Sequence, residues 1–400
     1  MSIIKSIIDN DFYKFTMQFG VTKLYPDVIA RYKFINRGQH EFPEGFAAAL
    51  QAEIDAMQNL ALTKSEKDFF TTNCPYLSPA YLDFLQGYRY DSSEVKITQN
   101  GKDVEVVVEG YWYRTILWEV PILCLISELY YKLTDAKRID NNQITKRTSD
   151  KVDLYNNLGV TVAEFGTRRR HSYEVQDVVV KELTNHKGKS FVGTSNVHFA
   201  HKYGVKPIGT HAHEWFMFHG ARYGFKVANS ISLDRWVKVY YGDLGIALTD
   251  TYTSDVFFNQ FDKKLSKLFD GVRHDSGDPV EFGEKTIAHY EKMGINPLFK
   301  TIIFSDGLNS EKVEMITKVF KGRIGLSFGI GTDLTNDTDL RPMNIVMKLT
   351  EISSIDIPWT GVVKLSDEKN KHTGTPRMIE LAKEMLGLDE IPSHESPTND

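Results

Sequence analysis

Histidines are concentrated in one part of this 400-residue chain, where they could bind a metal ion or take part in a reaction. Seven of the twelve lie between positions 171 and 219, and His211, His213 and His219 fall in or just after the segment Gly209-Thr-His-Ala-His-Glu-Trp215. Because alternate residues of an extended chain point the same way, His211 and His213 could bind one metal ion. They could equally cap turns or fill a polar pocket. Glu214 favours a reactive His213, since a neighbouring carboxylate raises the basicity of an imidazole and fixes its tautomer.

Two carboxylates and an arginine surround a glycine in the segment Arg273-His-Asp-Ser-Gly-Asp-Pro279. Asp275 and Asp278 could hold ribose hydroxyls or a Mg²⁺ ion, and Arg273 could pair with a carboxylate or a phosphate. Pro279 suits the first position of a helix. Asp278 could therefore do no more than cap that helix.

Two glycine-bearing turns and one basic run could bind anions. The turns are Ser305-Asp-Gly307 and Phe328-Gly-Ile-Gly-Thr332, where glycine would let backbone N–H groups approach a phosphate. The basic run is Arg168-Arg-Arg170. Such a run is commonly a solvated surface, but Arg168 follows a short apolar run and could clamp an anion there.

Beyond Gly159, short β-type runs alternate with helical segments, and each run ends in a glycine or polar cluster. The run ends are 164–168, 192–196, 208–213, 247–250, 272–278, 303–307 and 326–331. This alternation predicts a parallel α/β barrel or sheet, with its ligand site at the carboxyl ends of the strands. A doubly wound open sheet is the competing architecture.

The whole chain divides into three predicted parts. Residues 1–137 mix short strands with helices, which predicts an α+β domain. A polar connector at 134–143 separates it from a barrel domain at 138–387. The segment 388–400 is rich in proline, serine and acidic residues, and we predict a disordered tail there.

Composition excludes several classes of protein. A net charge of -5 gives no footprint for nucleic acid, which requires surplus clustered cations. The two cysteines are far apart, so a disulfide framework is not expected and a cytoplasmic location is predicted. The N-terminus lacks the pattern of a signal peptide. Glu119, Pro121 and Glu128 interrupt the most apolar stretch, 116–129, so we expect a buried helix there and no membrane span.

Six blocks of this chain, in the same order and nearly from end to end, resemble nicotinate phosphoribosyltransferase. The blocks are Asp11-Phe-Tyr-Lys-Phe-Thr-Met17, Glu164-Phe-Gly-Thr-Arg168, Gly209-Thr-His-Ala-His-Glu-Trp215, Leu244-Gly-Ile-Ala-Leu-Thr-Asp250, Arg273-His-Asp-Ser-Gly-Asp-Pro279 and Leu326-Ser-Phe-Gly-Ile-Gly331. The resemblance implies a type II phosphoribosyltransferase fold, in which an N-terminal α+β domain lies beside an irregular, TIM-like α/β barrel. It also implies a homodimer whose active sites take residues from both chains.

The resemblance further implies a reaction. Nicotinate and phosphoribosyl pyrophosphate would give nicotinate mononucleotide and pyrophosphate in NAD salvage, coupled to hydrolysis of ATP as co-substrate through a phosphohistidine. The matching block assigns that histidine to His213, with Glu214 orienting its ring. Mg²⁺ would accompany pyrophosphate and ATP, and no other metal site is expected.

Further roles follow from the same resemblance. Phe165, together with Tyr13 of the facing subunit, would sandwich the pyridine ring. Arg273 would reach the nicotinate carboxylate, and Arg168 the ribose phosphate. Asp275 would hold the ribose hydroxyls, and Asp278 would support the turn before it. Backbone N–H groups of the two glycine turns would bind the 5′-phosphate; the residues concerned are Asp306, Gly307, Gly329, Gly331 and Thr332.

One position bears on the choice of substrate. Related nicotinamide enzymes carry an aspartate in the turn that reads Gly193-Thr-Ser-Asn196 here, and an aspartate would repel a nicotinate carboxylate. Ser195 therefore favours the acid. The alternative function is a metal-dependent barrel hydrolase that would use His211, His213, His219 and Asp275 as ligands.

Overall fold

A computed structural model of the protein describes residues 2–368 and 371–388. Of the tail predicted at 388–400, all but Leu388 lies outside these residues. In the described part of the chain, no helix combines the length and the apolar character needed to cross a membrane. The stretch 116–129 instead contributes to a helix, Glu119–Leu133, whose apolar residues are mostly buried, as predicted.

The strands belong to two sheets. They are β1 Ile29–Asn36, β2 Val95–Asn100, β3 Asp103–Tyr111, β4 Thr161–Glu164, β5 Phe191–Thr194, β6 Ile246–Leu248, β7 Gly271–His274, β8 Thr301–Phe304, β9 Gly325–Ile330, β10 Ile345–Ser354 and β11 Ile357–Gly361. An antiparallel sheet has the order β11-β10-β1-β3-β2, and a parallel sheet has the order β5-β4-β9-β8-β7-β6.

Helices cover these sheets and connect their strands. They are α1 Phe12–Leu24, α2 Phe46–Ala56, α3 Lys64–Asn73, α4 Pro79–Gly87, α5 Trp112–Thr115, α6 Glu119–Leu133, α7 Asn141–Leu158, α8 Tyr173–Asn185, α9 Val197–Tyr203, α10 His213–Tyr223, α11 Ala228–Tyr240, α12 Ser254–Gln260, α13 Lys263–Leu268, α14 Pro279–Lys292, α15 Ser310–Phe320, α16 Thr332–Thr335 and α17 Pro376–Leu386. Short 3₁₀ turns are Met57–Asn59, Ser92–Glu94, Thr167–Arg169, Phe225–Val227 and Pro297–Phe299.

The antiparallel sheet draws its strands from both ends of the chain. β10 pairs with β1 in a register that runs from Ile29 opposite Ser353 to Asn36 opposite Ile345. The range predicted for the barrel domain, 138–387, thus includes two strands, β10 and β11, that complete the N-terminal sheet. Pairing between strands some 300 residues apart is not visible in local patterns, because periodicity predicts a strand but not its neighbour.

The parallel sheet is closed into an irregular barrel, as predicted. Six of the seven predicted run ends lie at the carboxyl ends of β4 to β9. The seventh is not a strand: the Ile208 N–H donates to the Thr194 carbonyl of β5, and the Thr210 hydroxyl donates to the Ile246 carbonyl of β6. This segment, 207–212, bridges the two edge strands of the sheet.

Gly209 explains why the closing segment is irregular. Its φ of +150° is one that side chains rarely adopt. A Cβ at position 209 would lie 3.1 Å from the backbone nitrogen of Tyr13. Glycine therefore lets the start of α1 approach the barrel edge, and this approach sets the position of Tyr13.

A buried ion pair fixes the N-terminal segment to the barrel. Arg170 holds Asp9 with two hydrogen bonds of 2.7 and 2.9 Å, and both side chains are fully buried. Burial alone would raise the pKa of Asp9, but the Arg170 guanidinium outweighs this effect and lowers it. The third arginine of the basic run is thus a structural residue and not part of a solvated surface.

We expect Arg170→Met to lower the free energy of unfolding by about 3–5 kcal/mol, because the substitution leaves the Asp9 carboxylate buried without its cation. Denaturant unfolding would measure the change. The control is Arg147→Met, which removes the partly exposed ion pairs with Asp337 and Asp339 and should cost no more than about 1 kcal/mol. Equal losses in the two variants would contradict this account of Arg170.

Candidate active site

A cavity of about 950 Å³ lies at the carboxyl ends of the barrel strands. Most of the residues predicted for the site line it: Tyr13, Phe165, Arg168, His213, Glu214, Arg273, Asp275, Asp306, Gly307, Gly329, Gly331 and Thr332. These residues lie together because parallel strands all end at the same edge of a sheet, so the turns that follow the strands are neighbours there. Ser195 and Asp278 are the two predicted residues that do not line the cavity.

His213 is the first residue of α10 and has four polar neighbours. Its Nδ1 lies 3.0 Å from the Thr251 hydroxyl, and its Nε2 lies 2.9 Å from Lys364 Nζ and 3.0 Å from Asp275 Oδ2. Asp250 Oδ1 is 3.5 Å from Nε2. Burial and the Lys364 ammonium lower the pKa of His213, against the opposing effect of the two aspartates. The ring is therefore neutral at pH 7.

The hydrogen bonds of His213 allow two tautomers with different chemistry. Lys364 can donate to Nε2 only when the ring hydrogen is on Nδ1, where it donates to Thr251. Asp275 can accept from Nε2 only when Nε2 carries the hydrogen. In the first state, the Nε2 lone pair is a nucleophile held at the start of a helix, where backbone N–H groups favour an incoming anion.

Glu214 does not orient the ring of His213, contrary to the prediction. It is buried, and its carboxylate pairs with Lys14 at 2.8 Å and accepts from the Tyr32 hydroxyl at 2.9 Å. Adjacent helical residues point about 100° apart, so a neighbour in sequence does not share the surroundings of His213. Thr251 instead contacts Nδ1 of the His213 ring.

Asp275 is held by three groups. Its Oδ1 accepts from Arg273 Nη2 at 2.8 Å and from the Ser305 hydroxyl at 2.7 Å, while its Oδ2 faces His213. Arg273 also donates from Nε to Ser305 at 2.9 Å. Burial would raise the pKa of Asp275, but Arg273 and His213 outweigh it and keep this pKa well below its usual range. The carboxylate is ionised and rigidly oriented.

Asp278 is a helix cap and not a catalytic residue. Its side chain is exposed and accepts from the backbone N–H groups of Val280 and Glu281 at 2.9 and 2.8 Å. Pro279 follows as the first residue of α14. These are the features of an N-cap, so the structural interpretation of this aspartate is the correct one.

Ser195 lies behind the cavity wall. It is fully buried, and its hydroxyl donates to Asp11 Oδ1 at 2.7 Å. Burial raises the pKa of Asp11. An aspartate at position 195 would bring a second carboxylate against this buried one, and the Ser195 side chain is not part of the cavity wall.

The two aromatic residues expected to sandwich a ring, Tyr13 and Phe165, both line the cavity. The structure contains a single chain, so the contribution of Tyr13 from a facing subunit, which the resemblance implied, stays a prediction. Phe165 stands over Gly329, where an added Cβ would lie 3.2 Å from the ring. The glycine thus makes room for Phe165 as well as supplying a strand-end N–H group.

The cavity is also lined by cations that are scattered along the chain and were not predicted to lie together. They are Arg37, Arg169, Arg341, Lys348, Lys364 and Lys371. Burial and then the neighbouring Arg168 and Arg37 lower the pKa of Arg169 to about 10. Burial, with Arg37 and Lys364, lowers the pKa of Lys348 to about 7. Crowded cations of this kind are suited to a polyanion such as pyrophosphate.

Asp306 and the glycine turns border this region. Lys371 pairs with both oxygens of Asp306, at 2.9 and 3.1 Å. Gly307 has a φ of +51°, which a turn of this shape requires. Thr332 begins α16 directly after Gly331. The turns predicted to bind phosphate therefore lie beside the cationic region.

His213, Asp250 and Asp275 could hold a metal ion, since their ligand atoms lie within 4.8 Å of one another. Lys364 Nζ lies among them, however, 2.9 Å from His213 and 3.2 Å from Asp250 Oδ2. A zinc ion bound to His213 would have to displace this ammonium, which counts against the hydrolase.

The other two histidines proposed as zinc ligands are also elsewhere. His211 packs against the rings of Phe216 and Trp236, and His219 is paired with the Tyr25 hydroxyl at 2.9 Å. Magnesium is a different case, because it prefers oxygen ligands. Asp250 Oδ1 has no hydrogen-bond partner within the described residues, and with Asp275 it offers a suitable donor pair.

Comparisons with known proteins match both halves of the chain to one family. The family model of the nicotinate phosphoribosyltransferase (NAPRTase) family matches residues 160–390, and that of its N-terminal domain matches residues 8–127. A nicotinate phosphoribosyltransferase of Chromohalobacter salexigens is 60% identical over 386 residues, which cover 96% of this chain and 99% of the relative.

Solved structures agree as well. The nicotinate phosphoribosyltransferase of Porphyromonas gingivalis is 47% identical, with a TM-score of 0.94 over 96% of this chain and 100% of that one. That of Vibrio cholerae is 34% identical, with a TM-score of 0.90 over 97% and 95%. Two family models and near-complete coverage at these identities lead to one assignment: the chain belongs to the nicotinate phosphoribosyltransferase family.

Proposed function

We propose that this protein forms nicotinate mononucleotide and pyrophosphate from nicotinate and phosphoribosyl pyrophosphate, in NAD salvage in the cytoplasm. We propose in addition that ATP hydrolysis is coupled to this reaction through phosphorylation of His213. The observation that carries the proposal is the arrangement around His213: a neutral imidazole at a helix start, with Lys364 donating to its Nε2 and the ionised Asp275 beside it.

Glycosyl transfer from a pyrophosphate-activated ribose passes through a cationic, oxocarbenium-like state, so the protein mainly positions groups and stabilises charge. The pyridine ring would stack against Tyr13 and Phe165. Arg273 would reach the carboxylate of nicotinate, and Arg168 the ribose phosphate. Asp275 would accept from ribose hydroxyls, a role suited to a carboxylate whose orientation Arg273 and Ser305 already fix.

Phosphorylation would use the Nε2 lone pair of His213, so Lys364 would first give up its hydrogen bond to this lone pair and turn its ammonium toward the γ-phosphate. A bond would form between Nε2 and the γ-phosphorus of ATP, while the bond from that phosphorus to the bridging oxygen breaks and ADP leaves with the electron pair. Lys364 would then pair with the phosphoryl oxygens, and Thr251 would hold the other ring nitrogen. The added negative charge would strengthen binding of a metal and its pyrophosphate.

Mg²⁺ would be held by Asp250 and Asp275, and when bound it would neutralise charge on the departing pyrophosphate. The neighbouring cations Arg37, Arg341 and Lys371 would contact the same group.

Purified protein should convert nicotinate, and nicotinamide far less well, to the mononucleotide when phosphoribosyl pyrophosphate is present. Chromatography of the products with each base would test the proposed function directly. Absence of nicotinate mononucleotide, or a higher kcat/KM with the amide, would refute it.

The phosphohistidine can be tested with γ-labelled ATP. We expect protein-bound label that survives alkali and is lost in acid, because a phosphoramidate bond has these properties. His213→Ala should take up none, whereas His211→Ala should be labelled like the unaltered protein. If the unaltered enzyme takes up no label while it makes product, the phosphohistidine step is wrong.

We propose that the protein is a homodimer in which each chain supplies its own Tyr13. The position of Tyr13 in the cavity of its own chain supports the second part of this proposal. Mixtures of Tyr13→Ala and His213→Ala chains should then regain no activity, since each site keeps one defect. Recovery of activity in mixed dimers would instead mean that Tyr13 crosses to the facing site. Light scattering would establish the assembly.

A further inference from the structure

A row of four alternating charges links two parts of the cavity through the protein interior. Arg168 Nη1 lies 3.5 Å from Glu119 Oε1, and the other oxygen of Glu119 forms an ion pair with Lys14. Lys14 Nζ lies 2.8 Å from Glu214 Oε1. Arg168 is on the cavity wall, and Glu214 directly follows His213.

Lys14 is the centre of this row. Its side chain is fully buried, and its only ion-pair partners in the described part of the chain are Glu119 and Glu214. Burial would lower the pKa of Lys14, but the two glutamates outweigh this effect and raise it, so the side chain is charged. Lys14 directly follows Tyr13 in α1, so this helix carries both an aromatic ring that lines the cavity and a buried cation.

The two glutamates differ in their other contacts. Glu214 is also satisfied by the Tyr32 hydroxyl, which in turn accepts from Trp112 Nε1 at 2.9 Å. Glu119 has Arg168 as its second partner. Loss of the Lys14 charge would therefore leave Glu119 with Arg168 as its remaining counter-ion. Arg168 is 41% exposed, so it can still turn to a ligand or to Glu119.

We propose that Lys14 is a positioning residue, which neutralises Glu119 and so weakens its attraction for the Arg168 guanidinium, which can then bind an anionic group of a substrate. This inference rests on the proposed function. The anion is a carboxylate or a phosphate, supplied by nicotinate or by phosphoribosyl pyrophosphate. In either case the residue acts on binding through Arg168 and not on the chemical step.

Steady-state kinetics of a double-mutant cycle test the proposal. Lys14→Met should raise the KM for nicotinate or for phosphoribosyl pyrophosphate about tenfold, with kcat changed less than about threefold. The substrate whose KM rises identifies the anion. Adding Glu119→Gln should bring this KM back to within about twofold of the original value, because Arg168 loses its competing partner.

The matched control adds Glu214→Gln to Lys14→Met. The two double variants have the same net charge, but only one of them removes the carboxylate that contacts Arg168. We expect the KM to stay about tenfold raised in the control. Near-ultraviolet circular dichroism would show whether Lys14→Met alone folds. If it does not, comparison of the KM values of the two double variants still tests the role of Lys14.

Equal KM values in the two double variants, or unchanged KM values in Lys14→Met, would overturn the role of Lys14. Failure of the proposed function would look different, since the unaltered enzyme would then form no nicotinate mononucleotide.

Discussion

Asp275→Ala should lower kcat/KM about a thousandfold, since this carboxylate joins Arg273, Ser305 and His213 in one fixed arrangement. Its removal would take away the partner that we propose for the ribose hydroxyls, and it would release Arg273 from its orientation. Steady-state rates of nicotinate mononucleotide formation would measure the loss. A fall of less than about tenfold would show that Asp275 does not contact the reacting groups.

Asp278→Ala is the matched control, because the same segment supplies both aspartates. Its side chain caps α14 and is exposed. The substitution should lower the free energy of unfolding by about 1 kcal/mol, and kcat/KM should stay within about twofold of the original value. A loss of activity comparable to that of Asp275→Ala would restore Asp278 to the catalytic set.

Lys364→Met should slow labelling of His213 by ATP about a hundredfold. The hydrogen bond from Lys364 favours the tautomer of His213 that has its lone pair on Nε2. The positive charge of Lys364 would also stabilise the phosphoryl group that is transferred to this nitrogen. Rapid quenching after mixing with γ-labelled ATP would give the rate. Lys371→Met removes a cavity cation that pairs with Asp306 and Glu368 instead. Its labelling rate should exceed that of Lys364→Met.

Lys364→Met and Lys371→Met should also differ in how the labelling rate of His213 depends on pH. Phosphorylation requires an unprotonated His213 and fails as the pH drops through its pKa, which burial and Lys364 hold below the ordinary value. Loss of the Lys364 charge raises that pKa, so the acid limb of the rate profile should move to higher pH. Lys371→Met should leave the limb in place. Coincident profiles for both variants would contradict the contact between Lys364 and His213.

Local patterns predicted the barrel well, because each strand is followed by its own polar turn and parallel strands bring those turns together. They also found His213, Asp275 and Arg273, which all lie within predicted run ends, although Arg273 is part of β7 and His213 begins α10. The partners of these residues were missed for a consistent reason. Asp250 ends a recognised run and Thr251 follows it, but no role was predicted for either residue, while Lys364 reaches His213 from a position remote in sequence.

Asp275 and Asp278 show most directly that a sequence motif does not predict which of its residues reach the cavity. They are three residues apart in one block, yet one lies in the cavity and the other caps a helix at the surface. The sequence contained the signal for the cap, since Pro279 follows Asp278. It contained no signal that Glu214 would pair with Lys14 instead of serving His213, because that contact depends on how α1 packs beside α10.

The pairing of β10 with β1 has a consequence for how the protein is made on the ribosome. Until residues 345–354 have emerged, β1 presents an unpaired edge, and such edges invite association with other chains. The same late segment precedes Lys364 and Lys371, so the cavity lacks part of its charge until these residues have also been made. A nascent chain that ends before residue 345 therefore has neither the complete antiparallel sheet nor all the cations of the cavity.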